Sequence, residues 1–141
     1  SAIQNILNHK LQLKVIDNVG YFLKKNGLMI LVESSATAQK NINDLRKEYK
    51  LSKIIPPFHN LFFDDNKIKK HKFKNVKLLK IDNFSSNFYF ISRIIYALYT
   101  KIFLKKKPIY GHPLNTIAST IKEDLLNKDL SQIKTYFFKK K

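Results

Sequence analysis

The feature that most constrains this chain is the apolar run Leu28-Met29-Ile30-Leu31-Val32, set directly behind Gly27 and ahead of polar Glu33-Ser34-Ser35. The run is too short to span a membrane. An unbroken apolar stretch bounded by Gly and polar residues reads as a strand buried on both faces, the kind found in parallel sheets. Upstream, Leu11, Val15, Ile16, Val19, Phe22 and Leu23 recur at steps of three and four, which predicts an amphipathic helix from Lys10 to Asn26. Asn26-Gly27 is expected to end it, with Gly supplying the left-handed residue that closes a helix. Helix, tight turn and buried strand make half of a right-handed crossover unit.

The same reading extends along the chain. A second helix is predicted from Thr37 to Tyr49, with Ala38, Ile42, Leu45 and Tyr49 on one face. Pro56-Pro57 interrupts regular structure, and Phe58 to Asp65 follows as an aromatic-rich loop or edge segment. Val76 to Ile81 has strand character, and Phe88, Ile91, Ile94, Ile95, Leu98 and Ile102 trace a long helix. Pro108 and Gly111-His112-Pro113 form an irregular stretch, and Ile133 to Phe138 is a closing strand. No internal repeat and no boundary is visible, so residues 1–141 are read as one domain.

Charge raises a competing function. The formal net charge is +17, but of the 27 basic residues only Arg46 and Arg93 are arginines. Lys, Ile, Asn, Phe and Tyr are the residues that AT-rich codons encode, so codon composition alone can produce such a charge. Base reading and phosphate clamping favour the bidentate fork of Arg over Lys. The clusters Lys67 to Lys72, Lys105 to Lys107 and Lys139 to Lys141 are expected in loops or at the terminus. They read either as a solvated surface or as a basic module for nucleic acid or another anionic surface.

Several chemistries are excluded. The chain has no Cys, hence no disulfide, thiolate nucleophile or Cys-based metal site. No apolar run reaches the length of a transmembrane helix. Gly20, Gly27 and Gly111 are too far apart for a phosphate-cradling loop, no close His pair offers metal ligands, and no G-x-S-x-G elbow is present. The start Ser-Ala-Ile-Gln-Asn lacks an initiator Met and the pattern of a signal peptide. A partial chain and a cytoplasmic setting are the expectations.

A series of short motifs then falls in one order: AIQNIL at 2–7, Gln12, LKKNG at 23–27, LMILVES at 28–34 and NINDLR at 41–46. PFHNL at 57–61 follows, then DNFSS at 82–86 with Tyr89, Ser92 and Arg93, then PLN at 113–115 and the closing strand. In this order the chain resembles the C-terminal half of bacterial class I S-adenosylmethionine-dependent methyltransferases. That family carries R-x-L-I-N-L after its fourth strand, a helix ending in L-K-P-G-G, and N-L-N-x-L-R. P-W-H-N-L and D-x-F-S-S-x-Y-Y-x-x-S-R blocks follow. Here the Pro and first Gly of L-K-P-G-G are replaced, and Ser1 stands where the family usually has Arg.

The resemblance implies an α/β fold: the C-terminal part of a Rossmann-like methyltransferase sheet, with the fifth to seventh strands, flanking helices, and an incomplete sheet. It implies methyl transfer from S-adenosylmethionine to a small-molecule or sugar acceptor in the intact enzyme. The main cofactor loop would lie in an N-terminal half absent from this chain, leaving the chain alone inactive. Gln4 and Asn5 would flank the methionine end of the cofactor, or else Asn5 or Asn8 caps a helix. Ligands in open α/β sheets lie at the carboxyl ends of strands, where Glu33 would bind or deprotonate substrate unless it is a loop acid. His59, beside Asn60 in a partly buried loop, is the second candidate base, or else a structural His bonding a backbone carbonyl. Asn60, Ser86, Tyr89 and Arg93 are the candidate substrate-binding residues, the last three spaced by three and four along one helix face. An Arg in an apolar helix must pair with an internal acid, such as Asp82 or Glu33, or bind a substrate carboxylate or phosphate. Arg46 reads as a structural helix residue, and His9, His71 and His112 as surface residues. The alternatives are the basic binding module and a non-catalytic methyltransferase-like scaffold acting through its Phe- and Tyr-rich face.

Overall fold

The computed structural model describes residues 3–109, 111–121 and 126–141. They fall into two compact units: Ser1–Thr37, Pro56–Asn83 and Ile133–Lys141 form the first, Ala38–Ile55 and Phe84–Gln132 the second. The chain passes between them four times. Neither unit is a contiguous stretch, so no shift of composition along the sequence marks it.

The first unit is mixed α/β. Its sheet has strands β1 (Leu28–Ser34), β2 (Val76–Asn83) and β3 (Ile133–Lys140), in the spatial order β1-β3-β2. β3 is antiparallel to both neighbours, so β1 and β2 run in the same direction. The register sets Ile30 opposite Phe137 and Glu33 opposite Lys134, while Ile81 faces Tyr136 beyond an irregularity between Leu78 and Lys80. All three strands fall where the sequence predicts strands.

Helix α1 (His9–Tyr21) is capped by Asn8, whose side chain accepts from the Leu11 N–H at 3.2 Å. It stops five residues short of the expected end at Asn26. The left-handed residue is Asn26 itself, with φ 62°, and Gly27 has no positive φ. Gly27 serves close approach instead: its N–H donates to Lys24 O at 2.8 Å, and a Cβ there would lie 2.8 Å from that same oxygen. Gly20 has a related function, because a Cβ would sit 2.3 Å from Val76 Cγ1, where α1 rests on the start of β2.

The core lies on one face of the sheet. Ile16 of α1, Ile68 of α3 (Asp65–Lys70) and loop residues Phe63 and Phe73 pack with Met29, Val76, Tyr136 and Phe138. The expectation that Leu28 to Val32 is buried on both faces is corrected. Met29 and Leu31 face the core, whereas Leu28, Ile30 and Val32 alternate with them and are each more than half exposed. An all-apolar run hides this alternation, since every residue reads alike. Lys67, Lys69 and Lys70 also depart from the loop reading: they ride α3, which Asp64 caps by accepting from Asn66 N and Lys67 N.

The second unit is helical. It holds α2 (Ala36–Glu48) from Ala38 onward and a helical stretch over residues 86–104 made of α4 (Ser86–Phe90), a π-helical turn (Ile91–Ile95), α5 (Tyr96–Tyr99) and a second π-helical turn (Thr100–Leu104). Lys105, with φ 47°, ends it. Helix α6 (Pro113–Ser119) starts at the last residue of the stretch expected to be irregular and runs on beyond it. Pro113 opens it with a preset φ, and His112 caps it by accepting from Leu114 N on Nδ1. Ile42, Tyr89 and Leu130 are the buried centre, bordered by Leu45, Ile54, Phe88 and Phe90. Asn43 clamps the backbone of Ile54 on both sides, donating to its carbonyl at 3.0 Å and accepting from its N–H at 2.9 Å. No helix among the described residues is long and apolar enough to cross a membrane.

Candidate functional site

Two arrangements of polar side chains stand out, one in each unit. In the first unit, at the carboxyl end of β1, Glu33, Ser35, Asp65, Lys134 and Tyr136 are all buried. Asp65 gathers three of them: Oδ2 accepts from Lys134 Nζ at 2.7 Å and from Ser35 Oγ at 2.8 Å, and Oδ1 accepts from the Tyr136 hydroxyl at 2.7 Å. Burying this ion pair costs solvation of both charges, which the convergent hydrogen bonds offset. Burial, the Asp65 charge and the hydrogen bond to Asp65 push the Tyr136 phenol far above its ordinary pKa, and Glu33 adds to the effect. Tyr136 therefore stays a neutral donor.

The chain returns alongside this end of the sheet. Phe63 bridges to Ser35, with Phe63 N donating to Ser34 O and Ala36 N to Phe63 O, both at 2.8 Å. Two residues earlier, Leu61 N donates to Gln4 O at 2.7 Å, and Gln12 Nε2 donates to Leu61 O at 2.8 Å and Ile6 O at 3.1 Å. Gln12 thus staples the Ile3–Asn5 turn to the loop that carries Asn60.

In the second unit a cleft of about 90 Å³ is lined by Arg46, Ile54, Ser92, Arg93, Tyr96, Ala97, Pro108, Ile109 and Asn115. Arg46 is fixed by backbone carbonyls, donating from Nε to Ser52 O at 2.7 Å and from Nη1 to Arg93 O. Ser92 is only 3% exposed, and its Oγ is buried without a hydrogen-bond partner among the described residues. The Tyr96 hydroxyl accepts from Ile109 N at 3.1 Å, and its ring stacks on His112 at 4.6 Å. A broader, open cleft of about 740 Å³ shares Arg46, Ala97 and Pro108 with it and adds Lys50, Lys101, Lys105, Lys106 and Lys107.

The residues singled out from sequence are distributed as follows. Gln4 is half-buried and Asn5 exposed on the Ile3–Asn5 turn; Asn60 is half-buried. Glu33 lies inward on β1. His59 is exposed rather than partly buried, its ring edge-on to Phe58. Asn60 N donates to Pro57 O, and this tight turn throws both rings at its corner outward. Ser86 and Tyr89 are interior: Ser86 Oγ accepts from Leu130 N at 3.1 Å, and Tyr89 is in the core. Arg93 is the member of that helical stripe that lines the cleft, with its guanidinium 5.8 Å from the Tyr89 ring. Asp82 pairs instead with Lys80 at 2.5 Å. His112 is half-buried rather than a plain surface residue.

Sequence reading missed Asp65, Lys134, Ser35 and Tyr136 as a group. One signal was present: in Ile133 to Phe138 the alternation puts Lys134 on the same face as Tyr136 and Phe138. Its partner Asp65, 69 residues away, left none. Among the described residues no group of His, Asp or Glu is arranged to hold a metal ion. No protein-family model, curated protein or solved structure matches the chain.

Proposed function

We propose that this chain is the C-terminal, substrate-facing part of a class I S-adenosylmethionine-dependent methyltransferase acting on a small-molecule or sugar acceptor. The observation that carries the reading is the sheet order: β1 and β2 share a direction and the last strand lies antiparallel between them. The sheets of that family end in the same way, with the final strand reversed and inserted between the two before it. The ordered motifs from AIQNIL to the closing strand point to the same family.

The chain's own residues fit the rim of such a cofactor site. Gln4 Oε1 is buried without a hydrogen-bond partner among the described residues, an acceptor suited to an ammonium group. Gly20, Gly27 and Gly111 are isolated, so a phosphate- or ribose-side loop must come from elsewhere in the intact protein. When bound, S-adenosylmethionine supplies a methyl group on a sulfonium for in-line attack. Glu33, at the carboxyl end of β1, is the acid that orients or deprotonates an acceptor hydroxyl. His59 stands on an exposed turn, where it serves as a base only with an acceptor bound over it.

The test is to read the DNA immediately 5′ of the codon for Ser1 and express the extended frame beside the 141-residue chain. Calorimetry is expected to give micromolar S-adenosylmethionine binding for the extended protein and far weaker binding for the shorter one. An upstream frame without a glycine-rich strand–loop–helix, or an extended protein that ignores the cofactor, sinks the proposal.

A further inference from the structure

We infer that the cleft between α2 and the 86–104 helical stretch is an anion site that takes a terminal phosphate of a small phosphorylated ligand. The first observation is selective placement. The chain has 27 basic residues and only two are arginines, yet Arg46 and Arg93 both line this one cleft of about 90 Å³. A planar guanidinium is the side chain that meets a phosphate with paired N–H donors; Arg46, which spends Nε and Nη1 on the carbonyls of Ser52 and Arg93, adds mainly its charge.

The second observation is Ser92. Its hydroxyl lines the cleft, is buried, and has no hydrogen-bond partner among the described residues. A buried polar atom left so is costly, on the order of 1–3 kcal/mol, unless something arrives to bond it. A phosphate oxygen is a fitting acceptor. The π-helical turn Ile91–Ile95 carries both Ser92 and Arg93, and π-bulges are often found at functional sites.

The third observation is the surrounding charge. The adjoining open cleft adds Lys50, Lys101, Lys105, Lys106 and Lys107, and among the described residues no Asp or Glu lines either cleft. The C-terminal ends of α2 and of the 86–104 stretch account for part of this, since each helix end carries about half a negative charge. Two such ends offset about one cation, far fewer than the seven basic residues lining the two clefts. The excess attracts anions.

The inner cleft is the size of one phosphoryl group rather than a polymer backbone. The aromatic ring lining it among the described residues, Tyr96, is already stacked on His112, so that ring offers no platform to a base. A phosphomonoester or diphosphate fits this arrangement better than a nucleic acid does. The inference does not depend on methyl transfer, and either reading can fail while the other stands.

The experiment is calorimetry on the full 141-residue chain with inorganic diphosphate and with a single-stranded oligonucleotide, each at low and moderate salt. Circular dichroism confirms the fold of each variant. Diphosphate is expected to bind, with Arg93→Gln weakening it about tenfold or more and Ser92→Ala about threefold. Ser92→Ala removes a hydroxyl that bonds nothing among the described residues, so it leaves the fold intact and keeps the test valid should Arg93→Gln unfold. Three results overturn the inference. One is no diphosphate binding at low salt. Another is binding indifferent to both variants but lost when Lys105, Lys106 and Lys107 become Gln, which is diffuse surface attraction. The third is an oligonucleotide that binds more tightly and displaces diphosphate.

Discussion

Tyr136 donates to Asp65 from inside the sheet, and its raised pKa ties stability to alkali. A phenol whose folded pKa lies above its unfolded value of about 10 contributes fully below that pH and loses its contribution as pH rises further. The expected outcome is that Tyr136→Phe destabilises the chain by about 1–2 kcal/mol at neutral pH. The gap between the two proteins then narrows above about pH 10. Thermal melts of both from neutral to alkaline pH check this; a constant gap refutes the assignment. At this scale the sequence revealed residues but not their partners. Glu33 and Arg93 stood out because a charge beside an apolar run is conspicuous. Asp65, in an aromatic loop, was silent because its role comes from Lys134 and Tyr136, which only the folded sheet brings to it.

Among the elements, α1 and β2 meet at a contact that admits no side chain on α1. Gly20→Ala places a methyl 2.3 Å from Val76 Cγ1, and valine, branched at Cβ, cannot swing aside. The expected loss is about 1–3 kcal/mol in urea unfolding, largely recovered by the double variant Gly20→Ala with Val76→Ala. An unchanged midpoint for the single variant contradicts the packing. Strands were the most legible elements, because the runs at 28–32, 76–81 and 133–138 are apolar and β-prone, the first set off by Gly27 and the second by Asn75 and Asp82-Asn83. Helix ends were less so: α1 ends at Tyr21 although apolar spacing continues to Leu23, since the following residues form a turn instead. α3 escaped notice because six residues carry less than two helical turns of pattern.

For the molecule as a whole, the exposed apolar stripe of β1 is the feature with the widest effect. Leu28, Ile30 and Val32 point away from the first unit's core, and β1 is an edge strand. An apolar stripe on an edge strand invites pairing with another copy or with further sheet. Sedimentation is expected to show concentration-dependent self-association that Ile30→Lys with Val32→Lys abolishes; a monomeric wild type at high concentration contradicts this. The division into two units was not legible, because four crossings of the chain interleave them. The sheet order also dictates a timetable. β1 and β2 share no hydrogen bonds with each other and are joined only through β3. On the ribosome, β1 and β2 cannot be joined until residues 133–140 have emerged, so this part of the sheet closes only once β3 is available.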